Sequence, residues 1–257
     1  MGEWAKDKHD YLTRYIDATR SVRAMFLPPR GTGGAAFIDL FGGPGKCCVR
    51  GTKPETICGS PLIALHHDKA PFTKVIVCDL DHENVAALQQ RTADFGGRAR
   101  IIEGNCNVVI DEIVGEVPVD GLNIALIDPF AARELNFDTT ISKLAQFKRM
   151  DLIIHWPTMD LKRNLGRNQD VLNDILGLDD DRARVFTPED VTRKIGTLKD
   201  QLGAFGYAIH QEVRSVPVKN SKQAILYHLV FASKDKRGNT IWNSIARREP
   251  SGQGNLF

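Results

Sequence analysis

The chain has 257 residues, enough for one three-layer α/β unit with additions, and its 42% hydrophobic and 26% charged content excludes a disordered or membrane-embedded class. A formal net charge of +2 neither requires nor forbids a polyanionic partner, because nucleic-acid binding follows the clustering of basic groups rather than their sum. No run approaches the ~20 apolar residues of a membrane span, Met1 to Lys6 lacks the apolar core of a signal peptide, and Cys47, Cys48, Cys58, Cys78 and Cys106 lack the regular pairing of a secreted disulfide framework, so a cytoplasmic chain with reduced thiols is expected.

In chain order, residues 8 to 25 carry Tyr11, Leu12, Tyr15, Ile16, Ala18, Thr19 and Val22 at helical spacing, with Lys8, Arg14, Arg20 and Arg23 elsewhere on the wheel. This predicts an amphipathic cap, ended by the Pro/Gly-rich linker 28–34, so that residues 1–34 form a helical cap and linker and 35–257 the main domain. From there apolar runs at 36–40, 74–79, 99–102, 122–128 and 150–156 alternate with helical patterns at 82–91, 107–114, 137–147 and 188–205. Unbroken apolar runs are strands buried on both faces, and their alternation with helices implies right-handed crossovers in a parallel sheet. Residues 158–187 read as an insertion on the substrate side. The runs 207–213 and 224–232, joined by a loop at 214–223, predict an antiparallel pair. A doubly wound, mostly parallel α/β sheet of seven strands ending in an antiparallel hairpin is the Rossmann-like pattern of class I methyltransferases, the enzymes that use S-adenosylmethionine (SAM).

The first strand runs into Phe41-Gly42-Gly43-Pro44-Gly45 at the carboxyl edge, where open α/β sheets bind ligands. Gly42, Gly43 and Gly45 let a ligand approach backbone, and Asp39 can accept from loop amides or, through water, from the ligand's amino group. A tight connection without ligand is the plainer alternative. Asp79, ending the second strand beside Leu80, is the expected ribose ligand, whereas Asp81 reads as a helix N-cap. After the third strand Asn105 can accept from the adenine amino group, with the Cys106 amide beside it, or can cap the following helix. The fourth strand ends in Asp128-Pro129-Phe130, where an acceptor should meet the methyl group. Asp128 and the Pro129 carbonyl can hold or deprotonate a nucleophile, and Phe130 can either stack on a planar substrate or pack into the core. No metal is expected, since Cys47, Cys48 and Cys58 lack paired CxxC spacing. His66-His67, His155-Trp156-Pro157 and the basic group Lys162, Arg163 and Arg167 are weaker site candidates with ordinary structural alternatives.

Across Lys8-His9-Asp10-Tyr11-Leu12, residues 39–45, Gly59-Ser60-Pro61, residues 78–85, Asp128-Pro129-Phe130 and residues 226–234 the chain resembles the three-Cys-motif partner proteins, a family of bacterial SAM-methyltransferase-like proteins named for a neighbouring gene product. A more distant likeness, to ribosomal RNA adenine-N6 methyltransferases, implies that Ser60 helps shape the SAM pocket. Those enzymes carry Asp-Pro-Pro-Tyr where this chain has Asp128-Pro129-Phe130, one proline short. The Gly-rich loop, Asp79 and the Asp128-Pro129-Phe130 strand end point to methyl transfer from SAM to a nucleobase in RNA or DNA. The alternatives are a small-molecule or peptide acceptor handled with a genetically linked three-Cys-motif partner of radical type, or a binding subunit without catalysis.

Overall fold

The computed structural model describes residues 2, 4–49, 55–165, 169–178, 187–208, 214–220 and 222–248. Its main sheet is built from β1 (Ala36–Asp39), β2 (Lys74–Asp79), β3 (Ala99–Glu103), β4 (Asn123–Ile127), β5 (Met150–Trp156), β6 (Val216–Lys219) and β7 (Ile225–Ala232). The strand order is β3-β2-β1-β4-β5-β7-β6. The first five strands pair in parallel, and β7 runs antiparallel to both β5 and β6. That order and that single reversal make this a class I methyltransferase fold.

Alternate residues along each strand enter opposite cores, as the pleat requires. Phe37, Ile124 and Phe231 face α1 (Trp4–Ala18), α2 (Ser60–His66), α3 (His82–Thr92) and α8 (Lys236–Ala246). Ile38, Ala125 and Ile154 face α4 (Cys106–Gly115), α5 (Thr158–Asn164), α6 (Gln169–Leu176), α7 (Asp190–Gly203) and the helical turns Phe137–Ile141 and Ser142–Ala145. Helix α1 is anchored by Leu12, Tyr15 and Ile16, with the Tyr15 ring 4.9 Å from Phe231 and 6.0 Å from Trp242. Fully burying side chains of this size contributes about 1.5–3 kcal/mol each, so α1 is as firmly packed as the helices between strands.

Three differences from the sequence reading have physical causes. Strand β6 lies at Val216–Lys219, inside the span read as a loop, whereas residues 209–213 of the predicted strand lie outside the described residues. Pro217 argues against a strand in general, but β6 is the sheet's edge, where a missing N–H can face away from the ladder. A two-stranded antiparallel ribbon, Lys46–Val49 with Glu55–Cys58, intervenes between the glycine turn and α2. Its base is closed by the Gly59 amide donating to the Gly45 carbonyl at 2.8 Å. Lys8 and Arg23, assigned to the outer side of the N-terminal helix, are buried. No helix among the described residues is long and apolar enough to cross a membrane.

Candidate active site

Strand order reverses at β1, whose neighbours β2 and β4 lead to opposite halves of the sheet, and ligands of open α/β sheets bind at the carboxyl ends of strands around such a point. Asp39 ends β1 fully buried, accepting from the Ser60 hydroxyl at 2.5 Å and the Phe41 amide at 3.2 Å. Burial pushes its carboxyl up to about 6, against the pull of those hydrogen bonds. The loop-amide role expected for Asp39 is the one observed, and Ser60 is tied to the same group.

In the glycine turn, Gly42 is wedged against Val77, while Gly43, with φ of 59°, faces open space: a Cβ there would meet no atom within 4 Å. The Gly43 amide donates to Asp79 Oδ2 at 2.7 Å, and Asp79 Oδ1 accepts from the Asp81 amide at 2.9 Å and Asn84 Nδ2 at 3.1 Å. Three of the carboxylate's about four acceptor positions are thus taken. A ribose would find one free direction on Asp79. Asp81 caps α3 as expected, accepting from the amides of Glu83 and Asn84. Asn105 caps α4 through the Asn107 amide at 2.9 Å, with Cys106 buried beside it. The open cradle over Gly43, the part-exposed Asp79 and the 70%-exposed Leu80 form a surface that fits a nucleoside lying across the strand ends.

At the end of β4, Asp128 is largely buried and doubly paired. Lys8 Nζ, from α1, donates to its Oδ2, and His155 Nδ1, from the end of β5, lies 2.5 Å from its Oδ1. Burial alone would raise the Asp128 carboxyl, but the Lys8 ammonium and then the His155 hydrogen bond outweigh it and hold the group well below the usual carboxylate range. Burial likewise pulls Lys8 down, and Asp128 followed by Asp39 more than offsets this, keeping it an ammonium. The Tyr227 ring packs 4.0 Å from that of His155 and its hydroxyl donates to the Trp4 carbonyl, so β7 fixes both imidazole and helix. His9, next on α1, is lowered to about 4 by burial and then by Lys8, and its Nδ1 has no hydrogen-bond partner among the described residues.

Beyond Asp128 the chain turns sharply. Glu134 accepts from the Phe130 and Ala131 amides at 2.8 and 3.3 Å, while Pro129 is buried. The Phe130 side chain is left 96% exposed, so the core-packing alternative does not hold. Asp39, Ser60, Gly43, Asp79, Leu80 and Asp128 therefore gather at one edge of the sheet, and the residues that sequence reasoning missed there are Lys8 and His9 of α1.

The remaining candidates disperse. His66 Nδ1 contacts the Leu62 carbonyl, and His67 lies between Arg23 and Asp17. Lys162 and Arg163 are exposed on α5, and Arg167 lies outside the described residues. Cys48 and Cys58 are exposed on the ribbon, with Cys47 half-buried. Among the described residues no group of three or more His, Cys, Asp or Glu could hold a metal ion. A cavity of about 510 Å³ opens elsewhere, lined by Tyr15, Met25, Arg149, Asp151, Lys236 and Ile241 at the amino ends of the parallel strands.

No protein-family model and no curated protein matches the chain. Among solved structures it is similar to the DUF519 protein LPL1258 of Legionella pneumophila, at 11% identity over 68% of this chain and 74% of that one, with a TM-score of 0.47. It is also similar to the methyltransferase domain of bacterial CtHen1, at 12% identity over 87% and 98% of the two chains and a TM-score of 0.44. A Staphylococcus aureus protein described as a caffeoyl-CoA O-methyltransferase is similar at 11% identity over 86% and 82%, with a TM-score of 0.45. With TM-scores below 0.5, these likenesses leave the fold assignment resting on strand order and direction.

Proposed function

We propose that this chain is a SAM-dependent methyltransferase of the three-Cys-motif partner kind, with a nucleobase in RNA or DNA as acceptor. The observation that carries the reading is the open cradle over Gly43, beside Asp79, at the carboxyl edge where the strand order reverses. Asp79, Leu80, Gly43 and the Asn105–Cys106 turn would hold the nucleoside. Bound there, SAM supplies an electrophilic methyl group, and the transfer needs little from the protein beyond alignment and a place for a proton. Asp128, oriented by His155, is that place, and the exposed ring of Phe130 gives a planar base a face to stack on.

Calorimetric titration with SAM tests the first step. Saturable binding is expected, weakened about 10-fold or more in Asp79→Ala through loss of a charge-assisted hydrogen bond. Absence of heat at millimolar SAM in the folded wild-type chain would sink the reading. One observation favours a second reading, a methyltransferase-fold binding subunit: Asp128 is already satisfied by Lys8. SAM binding without methyl transfer to any RNA or DNA would favour that subunit over the enzyme.

A further inference from the structure

Lys8 is an ammonium standing where an acceptor would have to be. Only 9% of its side chain is exposed, and a charge so far from water is costly unless matched. The match comes from Asp128 and, at longer range, Asp39, two carboxylates at the ends of adjacent strands β4 and β1. Helix α1 does not depend on this contact for its seat, since Leu12, Tyr15 and Ile16 bury its packed stripe one turn or more further on. The flexible four-carbon stem of lysine lets the ammonium withdraw while the helix backbone stays in place. His9 Nδ1, buried and without a hydrogen-bond partner among the described residues, lies close enough to feel the Asp128 charge.

Resting on the methyl-transfer reading, we propose that the acceptor presents an amino group to Asp128 in the place held by the Lys8 ammonium, so that Lys8 is a resident stand-in which the acceptor displaces. His155 occupies Asp128 Oδ1, so Oδ2 is the oxygen released for an incoming N–H. In the transfer the nitrogen lone pair forms the N–CH3 bond as the S–CH3 bond breaks, the bonding pair stays on sulfur, and the nitrogen sheds one proton to Asp128. Withdrawal of Lys8 favours that last movement. With the ammonium beside it the carboxylate is a poor proton acceptor, and without it the proton affinity rises.

Lys8→Ala removes three methylenes and the ammonium, opening a recess the size of propylammonium while leaving Asp128 and His155 in place. Propylammonium chloride, followed through the His155 ring resonances, is expected to bind this variant roughly 10-fold or more tightly than the wild type, as one charge-assisted hydrogen bond allows. Lys8→Ser, whose hydroxyl oxygen fills the place of the first removed methylene, opens a recess one heavy atom shorter and carries the same expectation with ethylammonium should the alanine variant fold poorly. Lys8→Met, which keeps the stem without a donor, is expected to refuse the amine. Tetramethylammonium, a cation with no N–H, is expected to leave the resonances unmoved in every variant. An equal response to both cations, or no response in a folded recess variant, overturns the proposal. Titration of the wild type with SAM separates the two readings: amine binding without SAM binding sinks methyl transfer and leaves the recess, and SAM binding without amine binding sinks the stand-in alone.

Discussion

Gly43 and Gly45 sit two residues apart with positive φ, yet a methyl group added to each would do different things. At Gly43, φ is 59° and the added carbon would stand in open space, so an alanine costs the fold only the left-handed penalty of about 1–2 kcal/mol. At Gly45, φ is 79° and the carbon would stand 2.7 Å from Leu88 Cδ1. Leu88 is fully buried, so its side chain would have to shift within a packed core, and Gly45→Ala should lower the unfolding midpoint further than Gly43→Ala. Gly43→Ala should instead cost the more in SAM affinity, because its methyl fills the cradle. Chemical denaturation and calorimetry on both variants check this, and the reverse ranking in affinity would remove the cofactor from Gly43. Phe130 poses a similar contrast. Its 96% exposure means that Phe130→Ala should leave the thermal midpoint unchanged. Loss of a stacked base should weaken single-stranded oligonucleotide binding by about 1–3 kcal/mol, roughly 5- to 150-fold. Unaltered affinity in a filter-binding titration would argue for a different acceptor.

Helix α1 carries the plainest test at the scale of an element, because the Tyr15 hydroxyl donates to Asp151 on β5 at 2.6 Å. Burial pushes the Asp151 carboxyl up to about 6, and the Tyr15 hydrogen bond resists that rise. An acid raised in the folded state adds most stability below its unfolded value near 4, and that contribution is lost as pH climbs through about 6. Tyr15→Phe strips a donor from the ionised form, so it should cost about 1–3 kcal/mol at pH ~7.5 and less at pH ~4.5, where the carboxyl is protonated. Urea unfolding at both pH values measures this, and an equal or larger cost in acid would contradict it. The same helix shows what the sequence made legible. Tyr11, Leu12, Tyr15 and Ile16 give the packed face directly from their spacing, but Lys8 on α1 and Arg23 in the short helix Arg20–Arg23 that follows it continue that face at positions 8, 12, 15, 19 and 23. Charge made them read as solvent-facing. Lys8 is instead matched by Asp128, and Arg23 by the Ala70 carbonyl and the Phe72 ring, partners distant in sequence that no wheel can anticipate. The β1, β2 and β4 ends were legible for the opposite reason: Asp39, Asp79 and Asp128 each follow an uninterrupted apolar run, and a carboxylate there is anomalous unless the strand ends at something polar. The ribbon was hidden because Lys46–Val49 and Glu55–Cys58 are too short and too exposed to show either period.

Because β1 to β5 run in parallel, the chain segments after β1, β2, β3 and β4 emerge on a single edge, although they lie up to ninety residues apart in sequence. A ligand held there touches several loops at once and little else, which gives its binding a spatial signature over the whole molecule. At about 100 times its dissociation constant, SAM should stabilise the native state by ~2.7 kcal/mol. For a domain near this size that corresponds to a rise in melting temperature of about 5–10 °C. Slowed amide hydrogen exchange should concentrate at residues 41–45, 79–81 and 104–106 and extend to 128–130 when an acceptor is present. The amino edge offers an internal control, since the cavity bordered by Met25, Arg149 and Lys236 lies across the full length of the strands from Gly43. Protection centred on that cavity, with the glycine turn exchanging as fast as in the free protein, would move the ligand to the wrong end of the sheet and leave Asp79 and Asp128 without a cofactor to serve.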